Sequence, residues 1–185
     1  MIRLLLAASV LVAGSGCAST QPATAAAAIE SAGPSLAGTE VRCASTGDRT
    51  ALGTAGSVQV VELWATWCAP CVRALPLWSR LADEKGIEIL AVSIDDERQA
   101  PIDFAQKHGI SLPVLWDPFA QQISTAVPLS GVVPATLVVD CEGLVRHVHE
   151  GFAGPQVIDE VAAEVEKLRG ESSCKAEAPL ARCAP

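Results

Sequence analysis

Runs of apolar residues along the chain predict several β-strands. Residues 58–64 and 87–94 are almost continuously apolar and rich in β-branched side chains, which is typical of strands covered on both faces. Residues 135–140 form a third such run. Residues 144–149 alternate with period two after a turn at Glu142-Gly143. Two short segments, 41–43 and 49–52, flank turn residues and predict a small hairpin at the start of the domain.

Four segments between and after these runs have helical character: 69–85, 97–108, 118–127 and 155–168. Gly86 and Gly109 stand where the first two would end. Strands that alternate with helices, followed by a hairpin and a last helix, predict an α/β fold with a central mixed sheet flanked by helices. We expect one domain over residues 41–169 and a polar tail over 170–185.

The first residues have the pattern of an export signal. Arg3 precedes an apolar run, residues 4–13, which is too short for a membrane span of about 20 residues. We therefore expect a signal peptide over residues 1–16. The small residues before Cys17 resemble a bacterial lipoprotein signal, although Gly14 departs from it, and Cys17 is the expected lipidation site. The alternative is an ordinary secretory signal.

Residues 17–40 are rich in Ala, Ser, Thr, Pro and Gly, and predict a flexible tether between the membrane and the domain. The net charge of -8 disfavours binding of nucleic acid. The chain has seven cysteines, and six remain once Cys17 is set aside, an even number that suits disulfides in an oxidising compartment.

Two residues separate Cys68 from Cys71 in the chain, at the junction of a buried strand and a helix. The spacing fits half of a zinc site or a redox pair. A structural zinc site needs four ligands, and the chain has no second C-x-x-C and only three histidines. We therefore expect no metal and no cofactor other than the disulfide of these two cysteines.

The redox interpretation has a physical cause. Free N–H groups and the dipole at a helix N-terminus favour the thiolate of Cys68, which is the form that attacks a disulfide. Cys71, one turn further, is expected to be less exposed and to resolve the mixed disulfide. Pro70 suits an early helical position, because its missing N–H costs nothing there.

These residues also carry a family resemblance. The stretch from Val60 to Cys71, VVELWATWCAPC, resembles the active-site signature of the TlpA/ResA-like thioredoxin family. The similarity continues in order through residues 91–95, 113–118 and 131–140, and covers residues 41–168. The resemblance implies a thioredoxin-like fold with an N-terminal β-hairpin and a middle insertion. It also implies a cis Val133-Pro134 bond, with Pro134 facing the cysteines and the backbone of Val133 presented to a substrate.

Glu62 lies on the strand that precedes the cysteines. In the thioredoxin pattern its position holds a buried acid near the resolving cysteine. Burial among apolar neighbours would raise its pKa, so that it could accept the proton of Cys71. The alternative is a carboxyl that points to solvent at a strand edge. Trp67 is expected to pack over the disulfide and, with Ala69 and Pro70, to shape the docking surface.

The remaining cysteines allow three pairings. We expect Cys43 to bond Cys141 and Cys174 to bond Cys183, as structural staples rather than as a second redox relay.

The leading hypothesis is a thiol-disulfide oxidoreductase of the bacterial cell envelope, anchored by lipid and facing the periplasm, that reduces disulfides of exported proteins. Apocytochrome c is one candidate substrate by family resemblance, and a membrane electron donor is expected. A disulfide oxidase or isomerase, and a non-catalytic binder of cysteine-containing proteins, remain alternatives. A peroxidase is disfavoured, because Ala65 stands where peroxiredoxins place a Thr.

Overall fold

The computed structural model describes residues 33–53, 56–171 and 183, all within one compact unit, Ser31–Pro185. The expected signal peptide, Cys17 and Cys174 lie outside the described residues. The strands are β1 (Glu40–Cys43), β2 (Arg49–Ala51), β3 (Gln59–Trp64), β4 (Glu88–Ser93), β5 (Val114–Trp116), β6 (Ala135–Val139) and β7 (Val145–Glu150). The helices are α1 (Ala69–Lys85), α2 (Gln99–His108), α3 (Gln121–Ala126) and α4 (Gln156–Glu171), and a 3-10 turn, Pro118–Ala120, precedes α3.

The described strands form one mixed sheet in the order β2-β1-β5-β4-β3-β6-β7. β3, β4 and β5 are parallel, whereas β6 and β1 run antiparallel to their neighbours. This sheet confirms the predicted α/β architecture. No helix in the described part is both long and apolar enough to cross a bilayer.

All six residues of β3 are buried, because layers of side chains cover both faces of the sheet. Val60 and Trp64 point to the face covered by α1 and α4, where Trp64 also packs against Phe104 of α2 at 5.3 Å between ring centroids. Val61 and Leu63 point to the opposite face, which α3 covers. A strand enclosed in this way explains the nearly continuous apolar run in the sequence.

The predicted elements agree with the structure within a few residues. α1 has the predicted bounds, and Gly86 ends it with φ of 59°, in the left-handed region that favours glycine. The predicted 118–127 helix is a 3-10 turn followed by α3. β5 was not predicted, because it has only three residues; it lies where the family resemblance indicated an insertion.

The domain begins earlier than expected. Ser35 forms a β-bridge with Leu144, and the N–H of Leu36 donates to the carbonyl of Gly143 at 2.8 Å. Leu36 is fully buried. The prediction of a tether that extends to residue 40 is therefore wrong in its last residues. A single apolar residue among small ones gives no periodic signal, and this is why the sequence did not reveal it.

The expected disulfide pairing is also wrong. Cys43 bonds Cys183, and not Cys141. β1, which ends at Cys43, is separated from β6 by three strands. With about 4.8 Å between neighbouring strands, Cys43 and the turn after β6 that contains Cys141 are about 19 Å apart, far beyond the reach of a disulfide. Cys141 is also disulfide-bonded. Because Cys183 is bonded to Cys43, the expected Cys174–Cys183 bond is excluded as well.

The packing of residues 35–37 against the β6–β7 turn can be tested at Gly143. A Cβ at Gly143, where φ is +84°, would lie 2.6 Å from the Cβ of Ala37 and 2.7 Å from the carbonyl oxygen of Gly53. Gly38 has a similar φ of +76°, but a Cβ there meets nothing within 4 Å. We expect Gly38→Ala to cost about 1 kcal/mol of unfolding free energy, and Gly143→Ala about 2 kcal/mol more from overpacking.

Urea unfolding of the two variants measures this difference. Equal losses of stability would contradict the close packing of residues 35–37 against the turn.

Candidate active site

The candidate site lies at the end of the sheet that is formed by the carboxyl ends of the parallel strands β3, β4 and β5. The antiparallel strand β6 begins at the same end of the sheet, directly beside the last residues of β3, since Leu63 pairs with Ala135. The residue after Trp64 therefore leaves the sheet next to the loop that ends at Pro134. This topology brings the Cys68 turn and the Val133-Pro134 loop together.

Cys68 and Cys71 form a disulfide at the start of α1. Cys68 is the N-cap residue, with extended backbone angles of φ -88° and ψ 97°, and its Sγ accepts the N–H of Cys71 at 3.2 Å. Pro70 occupies the first turn of the helix, as expected. Cys68 keeps 5% of its surface exposed and Cys71 none. Any thiol chemistry with a partner protein must therefore begin at Cys68.

The Val133-Pro134 peptide bond is cis, as the family resemblance implied. The carbonyl oxygen of Val133 lies 3.5 Å from the Sγ of Cys68. Pro134 is buried, whereas Val132 before it is exposed. The loop thus presents polar backbone and apolar side chain immediately beside the more exposed sulfur.

Glu62 lies in the middle of β3 and is 1% exposed. The alternative of a carboxyl facing solvent is therefore wrong. Glu62 shares its face with Val60 and Trp64, the side that α1 covers. The hydroxyl of Thr136 donates to its carboxylate at 2.6 Å. Burial raises the pKa of Glu62 from 4.5 to about 7, against smaller opposing effects of Thr136 and Trp78.

The indole N–H of Trp78 also lowers the pKa of this carboxyl as a hydrogen-bond donor, although its geometry is not that of a regular hydrogen bond. A carboxyl with a pKa near neutrality can both accept and release a proton in the physiological range. Glu62 is therefore equipped for proton transfer on the α1 side of the sheet.

Asp95 supports the cysteine turn, a role that was not predicted from the sequence. Its carboxylate accepts the N–H of Thr66 at 3.1 Å and the Thr66 hydroxyl at 2.8 Å, as well as the hydroxyl of Ser93 at 2.7 Å. Asp95 is 3% exposed. It thereby fixes the backbone two residues before Cys68. In the sequence it stands in an acidic run at the end of a strand, Asp95-Asp96-Glu97, which is equally typical of a helix start.

The residues expected to form the docking surface differ in exposure. Trp67 and Ala69 are exposed and Pro70 is half-buried, whereas Trp64 belongs to the core. Trp67 thus turns most of its surface to solvent. In the described part of the chain, no three His, Cys, Asp or Glu side chains form a group that could hold a metal ion.

The comparisons with known proteins agree with this geometry. The chain is 27% identical over 112 residues to "Thiol-disulfide oxidoreductase ResA" of Geobacillus kaustophilus, which covers 59% of this chain and 62% of that protein. It is 27% identical over 122 residues to "Thiol:disulfide interchange protein DsbE" of Allochromatium vinosum, with 62% and 64% covered. The matches therefore span somewhat less than two thirds of the length of these relatives.

Solved structures show the same fold. A pneumococcal exposed lipoprotein thioredoxin from Streptococcus pneumoniae is 27% identical, with a TM-score of 0.53, and the alignment covers 68% of this chain and 97% of that one. A disulfide interchange protein described as DsbE from Chlorobium tepidum has a TM-score of 0.60 at 21% identity, with 72% and 96% covered. At such identity the second likeness concerns the fold, which is thioredoxin-like.

A family model described as Redoxin matches residues 25–165, well over half of the chain. This span includes the cysteine turn, the cis-proline loop and every strand of the sheet. The chain therefore belongs to the Redoxin family, as a thioredoxin-fold protein of the TlpA/ResA-like type.

Proposed function

We propose that the chain is a thiol-disulfide oxidoreductase that reduces disulfides of exported proteins. The observation that carries the proposal is the Cys68–Cys71 disulfide at the N-terminus of α1, with Sγ of Cys68 3.5 Å from the carbonyl of Val133 and with Glu62 buried on the same side of the sheet. ResA and DsbE, the relatives named above, are described as proteins of thiol-disulfide chemistry.

The first step is an attack on the partner disulfide. The reduced protein presents Cys68 as a thiolate, which the N–H of Cys71 and the N-terminus of α1 stabilise. The thiolate forms a bond to one sulfur of the partner, the partner S–S bond breaks, and the second partner sulfur leaves as a thiolate. The Val133 carbonyl is placed to accept an N–H from the extended partner chain beside the cysteine.

The second step resolves this mixed disulfide. Cys71 loses its proton, with Glu62 as the acceptor, and its sulfur attacks Sγ of Cys68. The Cys68–Cys71 bond forms, the bond between Cys68 and the first partner sulfur breaks, and that sulfur leaves as a thiolate. Two electrons have then passed to the partner. No cofactor beyond the two cysteines takes part, and a membrane protein that donates two electrons must return the pair to the dithiol.

The protein is proposed to work in the bacterial cell envelope, facing the periplasm and held at the membrane through lipid on Cys17. The sequence pattern around Cys17 supports this location, and one structural relative is described as an exposed lipoprotein. Exported proteins with disulfides are the proposed partners, apocytochrome c among them. Such proteins occur in oxidising compartments, where a disulfide reductase has substrates.

Substitution of Cys68 and substitution of Cys71 are expected to block different steps of the reaction. Cys68→Ser removes the attacking sulfur, so a reduced protein should form no mixed disulfide with a peptide disulfide. Cys71→Ser leaves the attack intact but removes resolution, so the mixed disulfide should accumulate. Non-reducing mass spectrometry after acid quenching measures both. Accumulation in Cys68→Ser instead of Cys71→Ser would reverse the assigned roles.

The midpoint potential tests the direction of the reaction. Tryptophan fluorescence in defined thiol-disulfide buffers reports the Cys68–Cys71 couple, since Trp67 adjoins Cys68. We expect a two-electron midpoint near or below about -250 mV, as in reductases. A midpoint at roughly -120 to -180 mV would instead identify an oxidase or isomerase.

The role of Glu62 predicts a pH dependence. Its carboxyl must be ionised to accept the proton of Cys71, so the rate of resolution should rise with pH through about 7, the pKa of the buried group. Glu62→Gln keeps a group that accepts the Thr136 hydrogen bond but cannot take the proton. We expect resolution to slow by about a hundredfold and the rise near neutrality to disappear. Stopped-flow mixing of reduced protein with a peptide disulfide measures the rate.

A stability measurement separates the raised pKa from catalysis. Between pH 4.5 and about 7 the folded protein keeps a proton on Glu62 that the unfolded chain has lost. This contribution to the unfolding free energy, present in full below pH 4.5, should fall by roughly 3 kcal/mol as the pH rises to 7. In Glu62→Gln the fall should be absent. An unchanged fall in the variant would mean that Glu62 is not the titrating group.

A further inference from the structure

Among the described residues, four large apolar side chains are exposed: Trp67 at 68%, Phe119 at 69%, Val132 at 51% and Val148 at 41%. Three of them lie at the end of the sheet that carries the disulfide: Trp67 follows β3, Phe119 follows β5 and Val132 precedes β6. Val148 lies instead within the edge strand β7, opposite Leu137. Three of the four exposed apolar residues thus share one end of the sheet. Exposed apolar residues that are scattered singly over a surface would not be grouped in this way.

Backbone hydrogen bonds fix the position of Phe119 relative to the cysteine turn. The N–H of Ile94 donates to the carbonyl of Trp64 at 2.9 Å, and the N–H of Phe119 donates to the carbonyl of Ile94 at 3.1 Å. The backbones at these three residues therefore form a row that continues the sheet. Two strand spacings, about 10 Å, separate Phe119 from the end of β3. Val132 lies on the other side of β3, before β6.

The conformation of Phe119 is unusual for its residue type. Phe119 has φ 59° and ψ 20°, and Ala120 has φ 53° and ψ 32°, so two consecutive non-glycine residues are left-handed. A side chain makes this conformation unfavourable, and glycine is the residue that adopts it readily. The surface position adds little compensation, because most of the Phe119 ring remains in water.

The surrounding loop holds Phe119 outward. The N–H of Ala120 donates to the carbonyl of Asp117 at 2.9 Å, while the Asp117 carboxylate accepts the N–H groups of Gln122 and Ile123 at 3.0–3.1 Å. Ala120 packs against the buried cluster on the α3 side. Neither burial nor backbone preference explains a phenylalanine at 119.

We infer that Phe119 is a specificity-determining residue that contacts a large apolar side chain of the partner segment whose cysteine Cys68 attacks. The inference rests on the proposed function and deepens it. The turn after β3 that carries Cys68 lies laterally between Val133 on the β6 side and Phe119 on the β5 side, so an extended segment that crosses the strand ends from the Val133 carbonyl continues toward Phe119. At about 3.3 Å per residue, the lateral span of about 10 Å from the end of β3 to Phe119 corresponds to about three residues. The preferred partner carries its apolar residue about three positions from the cysteine, on one side of it.

The test is a positional scan with defined peptides. A serine- and glycine-rich host peptide with one cysteine is oxidised to its disulfide-linked dimer, and a single Phe is placed one to five residues before or after the cysteine. The rate constant for reaction with the reduced full chain is measured by stopped-flow for each peptide. We expect Phe two to four residues away on one side to raise the rate at least about fivefold over the host peptide.

Phe119→Gly should reduce this enhancement to less than about twofold, and its melting temperature should equal or exceed that of the parent, because glycine suits the left-handed backbone. Val148→Ala is the matched control, an exposed apolar residue away from the site, and should leave the enhancement unchanged. If Phe119→Gly melts lower, Phe119→Asn replaces it, since Asn also tolerates this conformation.

An enhancement that is absent from the parent, or that survives in Phe119→Gly, would overturn the inference and leave the proposed function standing. If the parent reacts with no peptide disulfide and behaves like Cys68→Ser, the proposed function itself fails.

Discussion

The hydrogen bonding of β3 on both sides is the constraint from which the site follows. Parallel pairing with β4 and antiparallel pairing with β6 place the end of β3 beside the beginning of β6. Cys68 therefore starts α1 within 3.5 Å of the Val133 carbonyl, although the two residues are far apart in sequence. The same row of backbone bonds continues through Ile94 to Phe119. Without these backbone hydrogen bonds between strands, the cysteine pair would lie at a helix N-terminus with no neighbouring loop to align a partner.

The central strand also carries the main conflict between stability and function. A carboxyl at Glu62 occupies a position where an apolar side chain would pack between Val60 and Trp64. Burial disfavours its ionised form, which the protein tolerates because Thr136 supplies a hydrogen bond from the neighbouring strand. The group that weakens the core at neutral pH is the one suited to take a proton from Cys71. Such a compromise is common where titratable groups have strongly shifted pKa values.

Local patterns in the sequence predicted the long elements and the cysteine pair, because apolar runs, helix-ending glycines and C-x-x-C act over short distances. Three features needed the folded chain. β5 has three residues and is too short for a periodic signal. The Cys43–Cys183 bond joins residues 140 positions apart, and its choice depends on strand order. The left-handed backbone of Phe119 is set by Asp117 and Ile94, and a phenylalanine in the sequence gives no sign of it.

The Cys43–Cys183 bond has a consequence for the order in which the molecule is completed. Cys43 ends the first strand of the described sheet, while Cys183 follows every strand and helix that the structure describes. Translation produces the chain from its N-terminus, so the partner of Cys43 emerges only after all these elements have been made. Cys43 cannot form this bond before then. The Cys43–Cys183 bond can therefore form only after all the described strands and helices have been synthesised, and its presence marks a chain whose synthesis has passed α4.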